Sequence, residues 1–280
     1  MAALLLAIPL ACAPVFADDE EELTRLAEGF TRAAADADAA ALGELLHADM
    51  LLADPRQGLV EREQALASLS DSHMPADVNL GTVNMVVGDG WAFLRMPWEH
   101  PAIDAGNIDV SGACIAIDTP EGWKVVVQST VVEPREDALV SPDLLEPYEE
   151  QAEQLDERLE EIDRALAAAD HTLIKPLSHP ESRWVATDPT LEDTVVASVE
   201  QVVAHAAQYR PANLSMTRVA DASDALWVGL RCAAVVRTYE ATSDRGPLVA
   251  KMALLLYWSP EDEEWLIVGA GVELSGESVA

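Results

Sequence analysis

Residues 120–127 read Pro120-Glu121-Gly122-Trp123-Lys124-Val125-Val126-Val127, and residues 260–268 read Pro260-Glu261-Asp262-Glu263-Glu264-Trp265-Leu266-Ile267-Val268. Each is a turn, then a tryptophan, then a β-branched run. That is the signature of a hairpin feeding a buried strand. Two more stretches match in the same order. Met74-Pro75-Ala76-Asp77 resembles Arg210-Pro211-Ala212-Asn213, and Gly90-Trp91-Ala92-Phe93 resembles Leu226-Trp227-Val228-Gly229. Pro75 to Pro211 and Trp91 to Trp227 are each 136 residues, and Trp123 to Trp265 is 142. A near-constant offset with a small late insertion is what a duplicated unit leaves behind. The chain is expected to hold two tandem copies of one domain.

The elements around these matches repeat too. Leu23, Leu26, Phe30, Ala33 and Ala37 recur at three- and four-residue steps, which predicts an amphipathic helix. Asp38 caps a second short helix running to His47. Met50–Ala53 reads as a short strand, Asp54–Gly58 as a turn and Glu61–Ser70 as a helix. Val78–Val87, Trp91–Trp98, Ile108–Asp118 and Trp123–Val132 then read as strands. In the second half, Leu155, Leu159, Ile162, Leu166, Ala169 and Leu173 mark a helix that stops at Pro176. Arg183–Thr187 reads as a strand, Asp188-Pro189 as a turn and Leu191–Ala207 as a helix. Leu214–Val219, Leu226–Tyr239, Leu248–Trp258 and Trp265–Val272 read as strands. Helices first and an antiparallel sheet after gives an α+β plan, twice.

The chain has 280 residues and a formal charge of −33, from 50 Asp+Glu against 17 Lys+Arg, yet half its residues are hydrophobic. That apolar fraction excludes a disordered acidic chain, which cannot bury enough surface to offset the entropy of folding. The charge argues against nucleic acid as a partner, because that binding needs phosphates neutralised by Lys and Arg. It argues equally against docking on anionic lipid. Only Lys124, Lys175 and Lys251 are lysines, a pattern that fits either ordinary acidic drift in a GC-rich genome or a protein kept soluble in high salt. Residues 133–164 hold thirteen acids against three arginines. The first part, with Pro134, Pro142 and Pro147, reads as a linker, and the rest as the solvated face of the long helix.

Residues 3–17 are apolar and Asp18-Asp19-Glu20 follows at once. This run is too short to span a bilayer, and no later segment approaches a span. Val15-Phe16-Ala17 fits a small-x-small cleavage site, so the segment reads as a secretory leader and the protein as exported, periplasmic or secreted. A lipoprotein anchor on Cys12 is the weaker alternative, because Pro9 replaces the usual aliphatic residue. The expected organisation is a leader at 1–17, domains at 18–133 and 150–274, an acidic linker at 134–149 and a tail at 275–280. Cys114 and Cys232 sit in strand-like runs and read as buried free thiols, with one disulfide as the alternative. No His or Cys pair shows metal-ligand spacing and no cofactor motif is present, so no metal and no cofactor are expected.

Each half resembles the SnoaL-like group of the nuclear transport factor 2-like superfamily. In the first half the carriers are the opening helix, Leu46-His47-Ala48-Asp49-Met50-Leu51-Leu52-Ala53-Asp54-Pro55 with Gly58 after it, and Gly122–Val127. In the second, more diverged half they are Trp184–Pro189, Trp227 and Glu264–Val268. The resemblance implies a curved sheet wrapped around helices as a cone. The mouth of such a cone is often a pocket for an apolar small molecule, and its outer face often forms a dimer. Here the two copies are expected to pack sheet to sheet as an intramolecular pseudo-dimer. The enzymes of the superfamily use a carboxylate or a His–Asp pair as acid and base. Related domains often carry a His on the last strand. This chain reads Val127-Gln128-Ser129 and Gly269-Ala270-Gly271 there, which lowers the expectation of catalysis.

The candidate residues therefore lie in the first copy. Asp54 and His100 are the candidate acid–base groups. Asp54 follows the first strand, although Asp-Pro also starts turns. Trp91, Phe93 and Arg95 alternate onto one face of a strand, and Trp98 and His100 onto the other. Trp91, Arg95, Trp98 and Gln128 form a candidate wall for a small apolar or aromatic molecule. Trp227, Arg231, Arg237 and Tyr239 mirror that wall more loosely. Three readings follow: a non-catalytic binder of a small molecule or protein, an isomerase-, dehydratase- or cyclase-type enzyme using the first cone, and a structural pseudo-dimer with closed cones.

Overall fold

A computed structural model describes residues 17–55, 57–70, 74–135, 138, 142–168, 171–188, 193–209, 215–219, 224–243 and 246–275. The leader with Cys12, the stretch Arg210–Asn213 and the tail beyond Ser275 lie outside these residues. No helix among the described residues is long and apolar enough to cross a membrane.

Helix α1 (Ala17–Ala35) buries Leu23, Ala27, Phe30 and Ala34 along one stripe. Helix α2 (Ala39–Leu45) starts at Asp38, whose carboxylate accepts from the Ala40 and Ala41 N–H groups. Then come β1 (Leu46–Asp54), β2 (Gly58–Glu61), α3 (Arg62–Ser70), β3 (Asn79–Leu80), β4 (Asn84–Val87), β5 (Trp91–Glu99), α4 (Pro101–Ala105), β6 (Ile108–Ile117) and β7 (Lys124–Pro134). The second half runs α5 (Pro142–Ala167), two short 3-10 turns, β8 (Ser178–Asp188), β9 (Asp193–Ala197), α6 (Val199–Tyr209), β10 (Ser215–Val219), β11 (Ala225–Gly229), β12 (Cys232–Ser243), β13 (Gly246–Ser259) and β14 (Glu264–Ser275).

The first sheet is ordered β2-β1-β7-β6-β5-β3, with β4 also on β5. The second is ordered β9-β8-β14-β13-β12-β10, with β11 also on β12. The two orders are the same, element for element. Both sheets are mixed rather than purely antiparallel, because β1 runs parallel to β7 and β8 parallel to β14.

Register fixes the equivalences residue by residue. In the first sheet the β6–β7 pairing slips just after Ile115↔Val127, and in the second the β13–β14 pairing slips just after Leu255↔Gly269. A bulge at the same place in both copies equates Val127 with Gly269 and Gln128 with Ala270. Phe93↔Ile115 and Ala234↔Leu255 then equate β5 with β12, so Trp91 corresponds to Cys232. Helix α1 maps on α5 without a gap: Leu23, Ala27, Phe30 and Ala34 correspond to Leu155, Leu159, Ile162 and Leu166, all buried.

This corrects the pairing of Trp91 with Trp227. Trp227 lies on β11, the counterpart of β4. The expected single strand Leu226–Tyr239 is in fact a hairpin that turns through Leu230 and Arg231. Arg231 holds a φ of 57°, a turn position that Asn or Gly usually fills, so composition gave no sign of it. The expected helix Leu191–Ala207 is likewise two elements. Asp193–Ala197 holds the consecutive β-branched residues Thr194, Val195 and Val196 and pairs with β8, and α6 starts only at Val199. Its start is a capping box. Ser198 Oγ accepts from the Gln201 N–H at 3.3 Å, and Gln201 Oε1 accepts from the Ser198 N–H at 2.8 Å. His47 lies on β1, not at a helix end. The expected linker is shorter than 134–149, because α5 opens at Pro142, where a missing N–H costs a helix nothing.

Each domain has its own core between helices and sheet, and a third core lies between the sheets. Leu51, Trp91, Phe93, Ile115 and Val127 of the first domain meet Val185, Ala234, Ala253, Leu255 and Val268 of the second. The two sheets thus pack outer face to outer face. A Cβ on Gly269 would sit 2.9 Å from Val127 Cγ1, and one on Gly271 would sit 2.2 Å from Trp91 Cε3. Val127 and Gly269 are equivalent positions in mutual contact, which places a pseudo-two-fold axis between them. Trp91 against Gly271 has its mirror in Cys232 beside Ser129. The Leu230 N–H also donates to the Val132 carbonyl across the boundary at 2.9 Å.

Cys114 and Cys232 are free and buried. Burial pushes each thiol up to about 12. The thiolate is the reactive form, so a thiol-specific reagent at about pH 8 is expected to leave Cys114 and Cys232 of the native protein unlabelled. In denaturant both should titrate. Rapid labelling of the native chain at either cysteine would contradict this burial.

Candidate functional site

The structure separates the residues expected to form one wall. Trp91 and Arg95 face the second domain. Phe93 stacks on Trp227 at 5.7 Å, and the Arg95 guanidinium lies 5.3 Å from the centre of the Trp227 ring. Arg95 Nη2 donates to Glu133 Oε1 at 3.0 Å. The aromatic group that this face holds is therefore a side chain of the second copy. Trp98 points the other way, into the first cone, and its Nε1 donates to Thr31 Oγ1 at 3.3 Å. Gln128 also faces that cone, in register with Cys114 and Leu52, and is fully buried. Leu94, Met96, Met50 and Phe30 fill the space around them.

The candidate acid–base groups lie away from that interior. Asp54 Oδ1 accepts from the Gln57 N–H at 2.9 Å within its turn. The turn sits against the second domain, where Arg231 Nη1 donates to the Pro55 carbonyl at 3.2 Å. His100 caps α4: its Nδ1 accepts from the Ala102 N–H at 3.0 Å. Its Nε2 therefore carries the proton and donates to Asp77 at 2.9 Å. Both residues organise local backbone. A cleft of about 310 Å³ does bring Arg95 and Trp98 together beside α4, but both of its arginines are already paired, Arg95 with Glu133 and Arg135 with Asp109. A wider groove of about 950 Å³ at the edge of β1 is lined by Arg62 and Lys124. These two donate to the Gly43 and Glu44 carbonyls, the open end of α2.

The cluster that sequence reasoning missed lies in the second cone. Tyr239 and Arg237 on β12 face α5. The Tyr239 hydroxyl donates to Asp163 Oδ1 at 2.7 Å, and Arg237 Nη1 donates to the same oxygen and to the Leu159 carbonyl. Arg218 on β10 lies 3.9 Å from Asp163 Oδ2 and 3.9 Å from Asp224 Oδ2. Both Asp224 oxygens are buried, and neither accepts a hydrogen bond from a described residue. Burial, and then the bond to Asp163, hold the Tyr239 phenol above its ordinary value. Asp163 was read as part of a solvated face, but its bonds to Tyr239 and Arg237 turn it toward the sheet.

The first copy supplies an internal control. By register, Arg237 corresponds to Met96 and Tyr239 to Trp98. Arg218 pairs with Tyr239 as Leu80 pairs with Trp98. Asp224 precedes Ala225 as Val83 precedes Asn84, and Asp163 takes the place of Thr31. Four apolar residues of the first core have become two arginines, an aspartate and a tyrosine, and a threonine has become an aspartate. The helix-to-sheet bond survives in both, as Trp98 to Thr31 and as Tyr239 to Asp163. Charges placed inside a core cost free energy, so the exchange works against the stability of the second core.

Among solved structures, a nuclear transport factor 2-like protein of unknown function from Shewanella baltica matches at 10% identity and a TM-score of 0.35, over 46% of this chain and 98% of its own. A nuclear transport factor 2-like protein with a cystatin-like fold from Novosphingobium aromaticivorans matches at 22% identity and a TM-score of 0.33, over 40% and 80%. A third, from Salmonella enterica, matches at 16% identity and a TM-score of 0.35, over 46% and 93%. The chain is similar to nuclear transport factor 2-like proteins. Each neighbour covers less than half of it. No family model and no curated protein matches the chain. The two halves share one α+β plan by their own helix order and strand register. In the second, Asp163, Arg218, Asp224, Arg237 and Tyr239 lie between helix and sheet. No group of three or more His, Cys, Asp or Glu able to hold a metal occurs among the described residues.

Proposed function

We propose that this chain is a tandem nuclear transport factor 2-like binding protein whose ligand site is the second cone. The first copy acts as its folded partner and carries no site. The observation that supports this reading is the concerted exchange at five matched positions, from an apolar set around Trp98 to the Asp163–Tyr239–Arg237–Arg218–Asp224 cluster. Binding rather than catalysis is favoured because Asp163 Oδ1 is already taken by two donors and Arg237 is fixed by a carboxylate and a carbonyl. These groups hold position and do not shuttle protons. With residues 1–17 read as a leader, the protein works outside the cytoplasm, and the sheet-to-sheet contact takes the place of a homodimer.

Native mass spectrometry tests the reading on protein purified without denaturation. Wild type is expected to carry an added small-molecule mass, and Asp224→Asn is expected to lose most of it. A bare chain mass in both, with melting unmoved by a panel of small polar compounds, would overturn the proposal.

A further inference from the structure

The second cone can be taken one step further, to a ligand class, and this step rests on the binding role proposed above. Arg218 is held differently from Arg237. Arg237 is buried and makes two hydrogen bonds, one of them to a carboxylate. The Arg218 side chain is about half exposed, and its guanidinium sits 3.9 Å from one oxygen of Asp163 and 3.9 Å from one of Asp224. Charge-assisted hydrogen bonds run about 2.7–2.9 Å, so Arg218 lies about 1 Å too far from each carboxylate to bond it fully. Asp224 is left with two buried oxygens that accept nothing from a described residue, a costly arrangement for a carboxylate. The space between Asp163 and Asp224 is thus matched to a cation, and it is filled only loosely by one.

We infer that Arg218 is a resident stand-in, and that the second cone takes a small organic cation bearing several N–H donors, such as a guanidinium or primary ammonium group. Entry of the ligand swings the half-exposed Arg218 side chain outward. The ligand then bonds Asp224 and Asp163 Oδ2, while Arg237 and Tyr239 keep Asp163 Oδ1. The charge count is conserved, because one cation replaces another. The chain's net charge of −33 draws cations toward it and raises their rate of encounter.

Calorimetric titration of the full chain tests this with three probes: methylguanidinium chloride, its neutral analogue methylurea, and tetramethylammonium chloride, a cation without N–H donors. Methylguanidinium is expected to bind saturably and the other two not to. Removal of the stand-in by Arg218→Ala, or by Arg218→Leu, which carries the first copy's residue at that register, should tighten methylguanidinium by about tenfold. Asp224→Asn should weaken it by at least that factor. Equal binding of tetramethylammonium would show mere response to net charge and would overturn the inference. Binding of methylurea in place of methylguanidinium would overturn the ligand class while leaving a binding site in the second cone. No binding of any probe to wild type or to either Arg218 variant would overturn it outright.

Discussion

Trp91→Ala is expected to lower the stability of the whole chain by about 3–5 kcal/mol, the range for deleting a large buried aromatic. Trp91 is wholly inaccessible, and its ring lies on Gly271 of the other domain. The informative experiment is a double-mutant cycle. Gly271→Ala alone would force a methyl to 2.2 Å from Trp91 Cε3, and overpacking of this kind costs about 1–3 kcal/mol. In the Trp91→Ala background the same methyl has room, so Gly271→Ala should cost little. Urea denaturation of the four proteins reads the coupling directly. Strict additivity would mean that the two sheets do not share this contact.

The neighbouring contact between Val127 and Gly269 shows what fusion permits at this interface. A residue on a true two-fold axis meets its own copy, so a homodimer of the first domain would set Val127 against Val127. The fused chain meets Val127 with Gly269, large against small. Duplication allows that asymmetry on the axis; an assembly of identical chains does not.

Asp163→Ala carries the second large effect. It strips Arg237 of its carboxylate inside the cone, and removal of one partner from a buried ion pair costs about 3–5 kcal/mol. It also leaves the Tyr239 hydroxyl without its acceptor. The matched change in the first copy, Thr31→Ala, removes only a neutral bond to Trp98 and should cost about 0.5–1.5 kcal/mol. Thermal melts of the two variants side by side check the contrast. Equal losses would mean that the second cluster is no more charged in effect than the first.

Much of the fold was legible because it rests on local patterns. The stripe Leu23–Phe30, the Asp38 cap and the turn before Trp123 each follow from residue type and spacing, and the structure has all three. The duplication was legible for the same reason. The alignment between copies failed where a turn lacked its usual chemistry, at Leu230-Arg231, and that one missed hairpin set Trp91 opposite the wrong residue. The site was not legible. Asp163 lay hidden among thirteen acids, and only register shows that it stands where Thr31 stands. Trp91, Phe93 and Arg95 were read correctly as one face of a strand, but a strand pattern cannot say whether a ligand or a second sheet lies on that face. Ser198 with Gln201 is a signal that could have been used, since a capping box is visible in sequence and would have set the start of α6.

The central claim is that the charges of the second cone serve a ligand and not the fold. It is tested most directly by returning the five positions to the residues of the first copy: Asp163→Thr, Arg218→Leu, Asp224→Val, Arg237→Met and Tyr239→Trp in one chain. Replacement of a buried ionic group by packed apolar residues is commonly neutral or stabilising by about 1–4 kcal/mol. The account predicts a folded protein at least as stable as wild type that no longer retains a small molecule. A variant that is clearly less stable, or one that binds as wild type does, would contradict it.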